Sequence, residues 1–144
     1  MEIIPQTDFS LYKFFPFSNI RTMEIIVFLI GGLSYGLIEI LYRGYTHWSM
    51  VLTGGAVILT FYYLIPFLFQ LPLWASALLG AAIITAYEFA MGCVVNLLFK
   101  MEVWDYSDQP GNILGQICPQ FSGCWFLLCL AFFSLVKYNR TIFF

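Results

Sequence analysis

A chain of 144 residues that is 61% hydrophobic and 20% aromatic, with 10% charged residues and a mean hydropathy of +0.85, carries more apolar surface than a soluble domain of this size can bury. The net charge of −2 is too small to signal a charged partner, and no nucleic-acid partner is expected. Membrane strands would show alternating polarity over about ten residues, a pattern missing here, so the expected partner is the lipid bilayer and the expected fold is an all-α four-transmembrane-helix bundle.

Residues 1–22 contain Glu2 and Asp8 and lack a basic lead into an apolar core, so no cleavable signal peptide is expected. Their aromatics Phe9, Tyr12, Phe14, Phe15 and Phe17 suit an interfacial N-terminal segment. A hydrocarbon core about 30 Å thick takes roughly 20 helical residues. Four apolar runs meet that length, at about 23–41, 50–69, 73–99 and 113–136, giving a transmembrane domain over 23–136 and a short tail at 137–144. Pro66 and Pro72 bracket Gln70, which predicts a tight hairpin between the second and third helices. Pro119 falls inside the fourth run. Proline is best tolerated in a helix's first turn, so regular helix is expected to begin near Pro119, with Gly111 to Cys118 partly irregular and dipping inward.

Lys13 and Arg21 precede the first helix, and Lys137 and Arg140 follow the fourth, so an even number of spans places these four cations on one face. The positive-inside rule then predicts both termini in the cytoplasm. Cys93, Cys118, Cys124 and Cys129 have no metal-like spacing and read as small buried hydrophobes; no cofactor is expected. Gly32 with Gly36, and Gly111 with Gly115, make GxxxG spacings that permit close helix contact within the chain or in a homo-oligomer.

The most informative feature is a pair of acids within the apolar runs. Glu39 and Glu88 each follow a glycine, Gly31 and Gly80, by eight positions, an offset of 49 that suggests two parallel two-helix halves. Both acids fall about 21–23 Å along their helices at 1.5 Å per residue, hence at similar depth. An acid at such depth must be protonated, paired or hydrated, and is read by default as functional or tightly partnered. Tyr35, Glu39 and Arg43 recur at i, i+4, with His47 next if that helix continues; Thr85, Glu88, Gly92 and Asn96 line one side of the third. The structural alternative is that Glu39 and Arg43 neutralise each other, that Glu88 is hydrogen-bonded between helices, and that His47, Trp104 and Tyr106 belong to an aromatic belt. The candidate ligand-binding set is Glu39, Arg43, His47, Glu88, Asn96, Trp104, Asp105 and Tyr106, forming a polar pocket capped by the connection around Trp104 to Ser107.

The stretches Tyr87-Glu88-Phe89-Ala90-Met91-Gly92, Val103-Trp104-Asp105-Tyr106-Ser107 and Gly111 to Cys118, with Gly36-Leu37-Ile38-Glu39 and Arg43 to Ser49, resemble the bacterial family labelled putative ABC-transporter type IV, or CmpB-like. The chain is also similar to the eukaryotic transmembrane protein 229 family through its Glu-Phe, Gly and Trp-Asp-Tyr-Ser series. The resemblance implies a permease-like subunit of a bacterial cytoplasmic membrane. This sequence has no GxxxxGK[ST] phosphate loop, so an ATPase would be a separate subunit. The inner turn near Gln70 is too short to supply a coupling helix for such a motor, leaving residues 1–22 and the tail for contact with it. The other readings are an accessory protein that binds a lipid headgroup or partner helix, and a membrane enzyme. No nucleophile with a recognisable base supports the last.

Overall fold

The computed structural model describes residues 20–143, with side chains to residue 139. The interfacial reading of residues 1–22 therefore falls almost wholly outside the described residues. Among the described residues, four helices long and apolar enough to cross a membrane make up the bundle. They are α1 (Ile20–Arg43), α2 (Trp48–Leu68), α3 (Leu73–Gly92), which continues as a π-helical segment over Cys93–Leu98, and α4 (Pro119–Phe143).

Each break has a local cause. After Arg43 the chain turns at Gly44, whose φ of 85° suits glycine and whose N–H is donated to Ile40 O at 2.9 Å, an αL helix stop. His47 is thus outside α1, and the Tyr35, Glu39, Arg43 stripe does not extend to it. Its imidazole Nδ1 instead caps α2, accepting from Ser49 N–H at 3.3 Å. The predicted hairpin between Pro66 and Pro72 is present, with α2 ending at Leu68 and α3 starting at Leu73. Lys137 of α4 donates to Leu71 O at 2.6 Å and to Ser76 Oγ at 3.2 Å, tying this turn to the far end of the chain. The regular part of α4 begins at Pro119, as its proline predicts, and runs on to Phe143, past the expected end at 136.

The packing divides into two hairpins, α1 on α2 and α3 on α4, joined through α2 and α3. In α1–α2 the backbones approach closely at glycine. A Cβ on Gly31 would lie 2.6 Å from Gly54 O, and a Cβ on Gly54 would lie 2.3 Å from Tyr35 Cβ. Gly80, the counterpart of Gly31, similarly seats α3 against Cys129 and Phe133 of α4. Phe61, Phe133, Leu68 and Ala77 fill the centre between the pairs. Gly32 serves internal packing, against Val51. Gly111 and Gly115, however, lie outside helices with φ of 73° and 70°, so their GxxxG spacing is a correction: it marks turns in the connection and builds no helix contact.

Candidate functional site

Glu88 is buried on α3, 5% exposed, beside Tyr35 of α1 and Trp125 of α4. Tyr35 of α1 donates its hydroxyl to Glu88 Oε1 at 2.5 Å, and Trp125 of α4 donates its indole N–H to Oε2 at 2.9 Å. The two rings also meet, with centroids 5.3 Å apart. One carboxyl group therefore connects three helices. An indole N–H can only donate, so Oε2 accepts here, whereas Oε1 meets a phenol, which can donate or accept. No salt bridge to Glu88 exists among the described residues.

Glu39 is handled differently. Arg43, one turn on, pairs with it at 3.0 Å, and Thr46 Oγ1 donates to Oε2 at 2.8 Å from beyond the Gly44 turn. Both side chains of the pair are mostly buried, Arg43 at 17% and Glu39 at 14% exposure. Arg43 also reaches across to Val103 O at 2.8 Å, stacks over the Tyr45 ring at 4.5 Å, and leaves its buried Nε without an acceptor. Glu39 is within electrostatic reach of Glu88 and Tyr35, so the two acids share one end of the bundle with different partners.

The connection 99–118 folds over that end. At the close of α3, the π turn and the left-handed backbone of Lys100 and Glu102, φ 54° and 51°, swing the chain back. Asn96 then accepts from Val103 N–H at 2.7 Å and donates to Gln116 Oε1 at 2.8 Å, while Trp104 donates its indole to Gln116 O at 3.0 Å. Gln116 is 3% exposed and also donates to Leu114 O at 2.9 Å, completing the buried plug of a short hairpin in which Ile113 pairs with Ile117. Gly115, at φ 70°, gives this hairpin its turn; a Cβ there would lie 2.7 Å from Ser107 Oγ and 2.8 Å from Asp105 Oδ1. Asp105 is exposed and accepts the hydroxyl and N–H of Ser107, which together hold its carboxyl below the usual range. Tyr106 stacks on Phe121 at 4.6 Å, and burial pushes its phenol well above the ordinary value, with Glu88 adding to the effect.

The eight candidates thus fall into distinct roles. Glu39, Arg43 and Tyr106 gather with Glu88 at one end, and Asn96 and Trp104 bind the plug. Asp105 holds an exposed turn, while His47 caps α2 and contacts Trp48 at 5.1 Å between ring centroids. Trp125, Gln116 and Thr46 complete these networks without having been among the candidates, and Tyr35 was seen only as part of a stripe. A Trp within an apolar run needs an acceptor for its N–H, which is the signal that would have pointed to Trp125. All four cysteines are free, and no cluster of three or more His, Cys, Asp or Glu suited to a metal occurs among the described residues.

Two grooves flank Glu88. One, about 350 Å³, lies between α1 and α4 against Gly54, Val57, Ile58 and Phe61 of α2, and is lined also by Ile30, Ser34, Tyr35, Ile84, Trp125 and Leu128. The other, about 730 Å³, lies between α3 and α4 over Ala82, Thr85, Ile117 and Gly123. Residues 26–143 match the model of the family described as "Putative ABC-transporter type IV". The chain belongs to this family. No curated protein and no solved structure matches it. Membership in this family agrees with the four membrane-length helices among the described residues and identifies an integral membrane protein.

Proposed function

We propose that this chain is the membrane-embedded, permease-like subunit of an ATP-driven transport complex, with Glu88 and the adjoining Glu39–Arg43 pair as its polar centre. The carrying observation is the Glu88 carboxyl, 5% exposed in a membrane-length helix, with Tyr35 and Trp125 as donors. A bundle stabilised only by packing has no need of an acid there; burying one is costly unless a proton, cation or ligand compensates it. The Glu39–Arg43 pair is neutral as a unit, so Glu88 is the group with capacity left for a ligand. The connection 99–118, plugged by Gln116, covers this centre on the non-cytoplasmic side, and both termini face the cytoplasm. ATP hydrolysis is supplied by a separate subunit, in keeping with the family's description.

The test is purification of the tagged chain from its native membrane in mild detergent. A nucleotide-hydrolysing subunit is expected to co-purify, with its ATPase activity altered by Glu88→Gln. Recovery of the folded chain without any such companion, under conditions that preserve other transport complexes, would reject the reading.

A further inference from the structure

The α1–α4 groove and Glu88 share two walls. Tyr35 and Trp125 line the groove, and the same residues donate to the carboxyl behind them. Ile84, one turn before Glu88 on α3, also lines it. The rest of the lining is almost wholly apolar, with Ser34 contributing a hydroxyl from α1, and the groove lies along membrane-spanning helices where hydrocarbon is the solvent. Its volume of about 350 Å³ is at the small end of ligand sites. A flexible alkyl chain matches so apolar a lining.

Charge selects among alkyl ligands. Glu39 is balanced by Arg43, but Glu88 has hydrogen-bond donors and, among the described residues, no salt-bridged cation. The rings of Tyr35 and Trp125 pack on each other, centroids 5.3 Å apart, so a cation would meet the ring surface that lines the groove and not a gap between the rings; with a carboxyl behind them in a low-dielectric interior, that wall favours a cation over an anion. We propose that this groove binds an amphiphilic cation, its alkyl tail along α1 and α4 and its ammonium group against Tyr35 and Trp125, with Glu88 as counter-charge. This deepens the transport reading above by naming a substrate class, and it rests on that reading's choice of Glu88 as the polar centre, here acting from behind Tyr35 and Trp125.

The experiment uses the purified full chain in zwitterionic phosphatidylcholine nanodiscs, with dodecyltrimethylammonium carrying a diazirine at its tail end as the probe. Photo-crosslinks are expected within residues 30–38 and 128–135. Unlabelled dodecyltrimethylammonium should compete at a concentration at least about tenfold lower than dodecanol or dodecyl sulfate, each compared at its concentration in the bilayer. Glu88→Gln should reduce that preference to within about threefold. Ser34→Phe, which fills the groove from the exposed side of α1 and leaves the Glu88 contacts in place, should abolish labelling. Equal competition by the three amphiphiles, crosslinks concentrated elsewhere, or undiminished labelling of Ser34→Phe would each overturn the proposal. No ATPase is present in this assay, so cation-selective binding stands even if no motor subunit is found. A motor that responds to Glu88→Gln, with no selective labelling of the groove, would preserve the transport reading and remove this one.

Discussion

Replacing Trp125 by Phe removes the indole N–H that donates to Glu88 Oε2 at 2.9 Å, while keeping an aromatic ring beside Tyr35. A hydrogen bond to a charged group contributes about 1.5–3 kcal/mol, whereas a neutral one contributes about 0.5–1.5 kcal/mol. Indole to phenyl also loses packing, so the useful quantity is a coupling energy: the cost of Trp125→Phe in the native background minus its cost in a Glu88→Leu background, where packing is lost but an N–H without its acceptor is removed as well, which enlarges the coupling. With Glu88 ionised, that coupling should be about 1.5–3 kcal/mol, roughly a 10- to 150-fold factor in the unfolding equilibrium constant. Tyr35→Phe, which removes the donor at 2.5 Å from Oε1, should give a coupling of similar size. The two losses should not add. Both donors serve the same carboxyl, so the two removals are coupled through it. The assay is reversible unfolding of each variant in mixed micelles, followed by circular dichroism across a denaturing-detergent titration. A coupling below about 0.5 kcal/mol in both cycles, or strict additivity of Tyr35→Phe with Trp125→Phe, would refute the view of Glu88 as a charge-bearing junction of three helices.

Gly54→Ala should cost about 1–3 kcal/mol in the same unfolding assay, because the added Cβ would lie 2.3 Å from Tyr35 Cβ and push α1 from α2; a neutral result would mean that the helices are not so closely apposed. Ser107→Ala should raise the Asp105 pKa toward the ordinary value of about 3.9, since the Ser107 hydroxyl is the main cause of its lowering, and carbon-13 NMR of the carboxyl can follow the titration. A lowered pKa contributes stability to the turn above the unfolded-state value and loses it as pH falls through the folded-state value, so only strongly acidic solution should loosen the native turn. An unchanged titration in Ser107→Ala would show that the hydroxyl does not hold the carboxylate.

The sequence by itself determined the class of this protein and most of its architecture. Hydrocarbon-length apolar runs leave the backbone no partner but itself, so four helices follow without reference to neighbours. Pro72 and Pro119 mark helix starts through the geometry of one residue, and the Glu39–Arg43 pair is legible because i, i+4 neighbours meet on any helix. Tertiary structure decided what the acids touch. Trp125 and Tyr35 are 37 and 53 positions from Glu88, and only the placement of α1 and α4 about α3 brings their donors to its two oxygens. His47 shared the apparent stripe with Glu39 until a single left-handed residue, Gly44, turned the chain and made it the cap of α2. Gln116 was one polar residue in an irregular connection; its burial follows from the π turn after α3, which sets Asn96 and Trp104 to meet it. Local rules of spacing and backbone geometry act over a few residues and can be read along the chain, whereas partners of buried polar groups depend on how helices pack, which pattern alone does not specify.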